Sequence, residues 1–231
     1  MPIWAYFLIG AALAGLIGLA LYWQLVVAEG AYLGPRVVAL LYDWFAPRYD
    51  RVKQFDEAGD ALMLAMPILK HLAMSAASEA SVLDVATGTG RLPAALLAQR
   101  RFRGRIVALD LSGRMLDQAR AKLAAHGDRV AFMQRDAQRL PFDAAAFDVV
   151  TCLEALEFMR DRRAATREMW RVLKPGGLLM VSNRIGPDAW KLPGRAMPTS
   201  ALAAWLRELG FQDVQCRPWL VDYDLVTGVK P

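Results

Sequence analysis

The sequence predicts an α/β protein built on a mostly parallel sheet with helices on both faces. Three observations carry this. From residue 82 onward, strand-like and helix-like patterns alternate at regular intervals. The run Val82-Leu83-Asp84-Val85-Ala86 enters a glycine-bearing turn, Thr87-Gly88-Thr89-Gly90, with a helix pattern after it. Near the C-terminus, two strand-like runs stand only a few residues apart, as in an antiparallel hairpin.

The N-terminus is a separate element. No side chain from Pro2 to Ala28 is formally charged, and the first charged residue is Glu29. A bilayer needs about 20 apolar residues in one helix, and the run from Ile3 to Val27 supplies them. Trp4, Tyr6, Tyr22 and Trp23 sit near its ends, where aromatic belts form. A cleaved secretory signal would need a basic leading region, absent here, and a shorter apolar core. A helix buried in a globular core is the remaining alternative. Arg36, Arg48, Arg51 and Lys53 all follow the run, so the positive-inside rule predicts a single-pass anchor with the rest of the chain cytoplasmic.

Residues 30–55 read as a junction broken at Gly34-Pro35. A helix is expected from Asp56 to about Ser75, with Leu62, Met66, Leu69 and Leu72 or Ala73 as its apolar stripe. A small polar link follows at 76–81. Strands are placed at 82–86, 105–110, 129–134, 147–152, 177–183, 211–217 and 223–229. Helices are expected between the first five and again at about 199–209. The chain thus divides into an apolar helix (1–29), a junction with a helical cap (30–75) and a main domain (76–231).

Composition excludes several chemistries. The chain has 231 residues, enough for one α/β domain plus an appendage, and a net charge of +5 that suits an anionic partner. Cys152 and Cys216 give no disulfide framework and no metal spacing. The two histidines, His71 and His126, stand beside no motif, which argues against a zinc site or a histidine-based triad. The arginines at 100, 101, 103 and 105 and at 160, 162, 163 and 167 form two clusters. They fit solvated faces or contacts with anionic lipid headgroups. No aromatic-interleaved basic stripe points to nucleic acid.

The glycine turn carries the chemistry. Gly88 and Gly90 suit a strand-to-helix turn that lets a ligand approach the backbone. A dinucleotide fingerprint would place a third small residue three positions after Gly90, where Pro93 stands instead. Asp84, inside the strand, suits a nucleoside cofactor bearing a positively charged amino acid. Asp110 lies 22 positions after Gly88, close to the spacing of about 20 at which a carboxylate meets ribose hydroxyls.

The motifs DVATGTG (84–90), VALD (107–110), QRDAQRLPF (134–142), FDVV (147–150), LKPGG (173–177) and YDLVTGVKP (223–231) resemble those of class I methyltransferases that use S-adenosylmethionine (SAM). Tyr42-Asp43-Trp44-Phe45-Ala46-Pro47-Arg48-Tyr49-Asp50 resembles the entry motif of the ubiquinone/menaquinone-biosynthesis C-methyltransferase type. The resemblance covers roughly residues 40–231. It implies a Rossmann-like seven-stranded sheet ordered 3-2-1-4-5-7-6 with strand 7 antiparallel.

The same resemblance assigns SAM contacts to Asp84, Gly88 and Gly90 for the methionine portion, to Asp110 for the ribose, and to Ala86 and Thr89 in the same turn. Leu111, Met115, Asp136 and Ala137 are assigned to the adenine. Asp110 also reads as a helix N-cap region, Asp136 as a turn former, and Asp148 as a structural carboxylate. After strand 4 the family often shows a histidine where Phe158 stands. Glu154 and Glu157 are then the candidate general bases, or else solvated helix carboxylates. Tyr49 either closes over cofactor or substrate, or packs in the core. Trp44, Trp190 and Trp219 are candidates for an apolar mouth.

The expected activity is methyl transfer to a small, lipid-soluble acceptor, a quinone-type ring or a phospholipid headgroup. A soluble metabolite is the alternative acceptor. A catalytically inactive SAM-binding scaffold of a membrane complex is the alternative from another class, favoured by the Phe158 departure.

Overall fold

The computed structural model describes residues 2–75 and 79–231. The polar link expected at 76–81 therefore lies partly outside the described residues. Helix α1 (Ile3–Tyr22) continues into a π-helical turn at Trp23–Val27, and none of its residues is buried. The segment Ile3–Val27 is long and apolar enough to cross a membrane.

Residues 30–55, expected as a junction, are mostly one helix, α2 (Pro35–Lys53). Pro35 in the first turn and Gln54 in the left-handed conformation mark its ends. Pro47 sits inside it and removes one backbone donor.

The helix expected at 56–75 forms as α3 (Glu57–Asp60), a π turn (Ala61–Ala65) and α4 (Met66–Met74). Asp56 caps it by accepting the Ala58 N–H at 3.1 Å. Its buried face is Leu64, Ala65 and Ile68, whereas Leu62 and Met66 are exposed. The wider π turn rotates the apolar stripe away from the one a regular period gives.

The main domain runs β1 (Ser81–Val85), α5 (Arg91–Leu97), β2 (Arg105–Asp110), α6 (Gly113–Lys122) and β3 (Val130–Gln134). It continues with β4 (Phe147–Cys152), α7 (Arg162–Val172), β5 (Leu173–Arg184), α8 (Gly186–Trp190), α9 (Thr199–Glu208), β6 (Gln212–Leu220) and β7 (Tyr223–Val229). The sheet order is β3-β2-β1-β4-β5-β7-β6, with β7 antiparallel to both neighbours. All seven expected strands and their order are present. No helix separates β3 from β4: turn formers such as Asp136, Pro141 and Asp143 keep 135–146 irregular.

Strand alternation sends Leu83 and Val85 to one face, against Met169 of α7 and Leu206 of α9. Val82 packs on the other, against Leu92 and Leu96 of α5 and Ile68 of α4. The chain leaves β1 for β2 on one side and enters β4 on the other. This topological switch opens a crevice at the C-terminal ends of these strands.

Candidate active site

The crevice holds a cavity of about 790 Å³, open solvent at its mouth included. Its floor comes from the ends of β1 and β2 and from the segment after β3: Ala86, Gly88, Asp110, Leu111, Asp136 and Ala137. Tyr42 and Tyr49 of α2 also line it. A smaller adjoining space reaches Asp84, Thr87, Thr89 and Arg91.

The glycine turn is built for close backbone approach. Ala86 and Gly88 have φ of 56° and 54°. A Cβ built on Gly88 would meet nothing within 4 Å, so the space above this peptide is open. The Gly88 N–H donates to Asp110 Oδ2 at 2.8 Å, and the Ser112 N–H donates to Oδ1 at 2.8 Å. Asp110 is thereby fixed across the strand ends, and burial pushes its carboxyl above the usual range. The helix cap beside it is Ser112, whose Oγ accepts the Met115 N–H at 3.1 Å, and not Asp110.

Gly90 departs from expectation. It lines neither space, and a Cβ there would lie 3.0 Å from Leu123 Cδ1 and 3.2 Å from Ala119 Cβ. Its role is to let the turn pack against α6. Met115 departs as well. It is buried within α6 and does not line the cavity, so Leu111 is left as the apolar contact from this segment.

Asp84 is buried and accepts the Thr151 hydroxyl at 2.6 Å. Burial pushes its carboxyl up to about 6. The Thr87 hydroxyl lies close enough to ease the ionised form of Asp84. It is nonetheless buried and makes no hydrogen bond of good geometry. Asp136 is both turn former and cavity wall: Oδ1 accepts the Gln138 N–H at 2.9 Å. Asp148 is structural, accepting the Ser81 N–H at 2.8 Å and pairing with Lys174 at 2.9 Å.

Helix α2 roofs the site through contacts the sequence reading missed. Thr89 Oγ1 donates to Asp50 Oδ1 at 2.5 Å, and Lys122 pairs with Asp50 at 2.6 Å. Ser112 Oγ donates to Asp43 at 2.5 Å, and the Arg114 N–H donates to the same oxygen at 3.0 Å. Tyr42 and Tyr49, like Asp43 and Asp50, are seven positions apart. That spacing puts each pair on one helix face, and it is the signal that reveals the roof.

Neither candidate base is a solvated helix carboxylate. Glu154 lies in the loop after β4 at φ 51° and pairs with Lys53 at 2.6 Å and Arg91 at 2.7 Å. Glu157, in a single 3₁₀ turn, is buried and accepts the Tyr223 hydroxyl at 2.5 Å. Burial pushes its carboxyl up, opposed by Arg184. Phe158 packs edge-on against Tyr42 with ring centroids 5.9 Å apart. Trp219 stacks on Arg91, Trp190 is exposed, and neither lines the cavity.

Residues 82–177 match the family model described as a methyltransferase domain. A demethylmenaquinone methyltransferase of Clavibacter sepedonicus is 35% identical over 230 residues, 85% of this chain and 91% of that protein. The chain belongs to the class I SAM-dependent methyltransferase family. A ubiquinone/menaquinone biosynthesis C-methyltransferase of Hahella chejuensis is 35% identical, with 62% of this chain and 58% of that protein covered. A SAM-dependent methyltransferase from Aquifex aeolicus shares the fold, with a TM-score of 0.56 at 18% identity over 77% of this chain and all of that one.

The methyl donor of this family is SAM, and the site fits it. Above Gly88 there is open space that a side chain would fill. The buried Thr87 hydroxyl, beside Asp84, makes no hydrogen bond of good geometry among the described residues. Asp84, Asp110 and Asp136 put carboxylate acceptors along the crevice, a set that suits a ligand with a cationic amino acid end and hydroxyl or amino donors.

Proposed function

We propose that this methyltransferase is tethered to a membrane by α1 and methylates a quinone-type ring dissolved in the bilayer. The observation that carries the reading is a SAM-type crevice on the same chain as a 25-residue segment, Ile3–Val27, with no buried side chain. At about 1.5 Å per residue this segment is longer than a hydrocarbon core of about 30 Å. Its side chains, Phe7, Leu16 and Leu19 among them, are exposed on every side, an aggregation hazard in water but not in lipid. The positive-inside rule then puts the domain in the cytoplasm. The names of the Clavibacter and Hahella relatives supply the acceptor class.

In this reading Asp84, Ala86, Gly88 and Thr89 hold the methionine end of SAM, and Asp110 accepts from the ribose hydroxyls. Asp136, Leu111 and Ala137 receive the adenine. The bound donor supplies an electrophilic methyl on a sulfonium. The chain's own work is to align the acceptor and exclude water. Tyr42 and Tyr49 close the cavity. Glu154 is a positioning residue, since Lys53 and Arg91 engage its oxygens. Phe158 serves as a wall packed against Tyr42.

The test is purified protein in lipid nanodiscs with methyl-labelled SAM and a demethylated naphthoquinol. Label on the quinol supports the reading. Label on a lipid headgroup, or SAM binding without transfer, overturns the quinone assignment.

A further inference from the structure

A second cavity adjoins the first and shares four of its walls, Tyr42, Tyr49, Glu154 and Phe158. It encloses about 990 Å³, open solvent at the mouth included. Its residues grade sharply from outside to inside. Leu25 and Val26, at the end of the apolar segment, and Trp44 of α2 are 39%, 57% and 68% exposed. Tyr223 and Arg184, on its opposite lining, are 4% and 7% exposed. The cavity therefore joins the end of the apolar segment to a buried polar pair, with the charged Lys53 also exposed on its lining.

That polar end has unused donors. The Arg184 Nε donates to the Tyr223 hydroxyl at 2.9 Å, which in turn donates to Glu157 at 2.5 Å. The guanidinium sits 5.4 Å from the ring centroids of Phe158 and Tyr223. Among the described residues its two terminal nitrogens make no hydrogen bond. Their carboxylate neighbours stand off, Asp188 at 3.7 Å and Glu29 at 3.8 Å. Glu29, also on the wall, accepts the Tyr42 hydroxyl through Oε2 at 2.7 Å and keeps acceptor capacity on Oε1. A guanidinium with free N–H groups beside a carboxylate is complementary to an oxygen that both accepts and donates. Aromatic walls and an apolar mouth complete the match to a hydroxylated ring with an apolar tail.

We infer that this second cavity is the acceptor site, entered from the bilayer between Leu25, Val26 and Trp44, with Arg184, Tyr223 and Glu29 binding a ring hydroxyl. The assignment deepens the quinone-type reading and rests on it for the acceptor class. It makes Arg184 and Tyr223 acceptor-binding residues without placing them in the SAM site.

The test uses the full chain in nanodiscs with a naphthoquinol carrying a diazirine in its tail. Photocrosslinking should label peptides spanning 25–45. In methylation kinetics, Tyr223→Phe and Arg184→Gln should raise the acceptor KM at least tenfold while the Kd for SAM stays within twofold. Val26→Trp, at the mouth, should lower kcat/KM at least fivefold for a long-tailed acceptor and less for a tail-less one. Tyr223→Phe removes one oxygen, so it reports even if Arg184→Gln misfolds. Crosslinks in 25–45 without any methyl transfer support the site and count against the quinone methyltransferase reading. Methyl transfer with crosslinks elsewhere, or with an unchanged acceptor KM in Tyr223→Phe, overturns the inference.

Discussion

Arg91 donates to Glu154 at 2.7 Å, and both side chains are nearly buried, at 12% and 10% exposure. The same guanidinium grips Asp60 through two bonds of 2.7 and 2.6 Å and lies between the rings of Phe55 and Trp219. One side chain thus ties the start of α5 to α3, to the loop after β4 and to β6. Arg91→Met leaves two buried carboxylates without this cation, a loss of about 3 kcal/mol. Thermal melting should register a drop of roughly 6–12 °C. Arg91→Lys should recover only part, because a point charge cannot hold two carboxylates as a planar fork does. A melting temperature unchanged in Arg91→Met would remove the clamp from the account.

Asp84 ties stability to pH, and in the proposed binding mode it also faces the cofactor. Its folded carboxyl titrates at about 6 against an ordinary value of 3.8, because burial disfavours the charged form. The contribution to stability is therefore fully present below 3.8 and lost as pH rises through 6, on the order of 3 kcal/mol. Asp84→Asn keeps the shape and removes the charge. In the absence of SAM, the variant should melt higher than the parent at pH 7.5, and the gap should close toward pH 4. Its affinity for SAM, measured calorimetrically at pH 7.5, should fall at least tenfold. Higher stability without lost affinity would show that Asp84 does not face the cofactor.

The two glycines should separate binding from folding. Gly88→Ala puts a methyl into open space at φ 54°, costing about 1 kcal/mol of backbone strain while blocking the approach to the turn. Gly90→Ala must also push against Leu123 and Ala119, so it should cost more, about 2–3 kcal/mol. Denaturant melts and SAM titrations on both variants check this: Gly88→Ala loses affinity first, Gly90→Ala stability first. The opposite ranking would reverse the two roles.

The parts of the fold legible in the sequence are those set by local pattern. β2, β4 and β7 occupy the residues expected of them, because buried strands read as apolar runs bounded by turns. That Asp84, Gly88, Asp110 and Asp136 gather around one crevice is foreseeable, because each sits at a fixed offset from a strand end. The contacts of Arg91, Asp43 and Asp50 are not legible, since their partners lie 31 to 71 positions away in the chain, although the spacing of Asp43 and Asp50 puts them on one helix face. Met115 departs from the expected adenine contact because α6 turns it into the core, which depends on helix phase. The Leu62 and Met66 stripe failed for the same reason, a π turn that no apolar period announces.

Deleting residues 2–22 tests the anchor apart from the enzyme. None of the helical residues it removes is buried, so the deletion costs the core nothing. Trp23–Val27 remains, and so does the packing of Ala28 and Ala31 against Phe158 and Leu192. The Arg195 guanidinium still reaches the Ala31 carbonyl at 2.7 Å, and Tyr32 still donates to the Pro193 carbonyl at 2.7 Å. The shortened chain should move from the membrane fraction to the soluble one. It should melt within about 2 °C of the parent, and its SAM affinity should stay within twofold. Under the proposed membrane tether, its kcat/KM for a quinol embedded in nanodiscs should fall at least tenfold. A core helix would behave oppositely: its loss would expose apolar surface worth about 25 cal/mol per Å² and lower the melting temperature steeply.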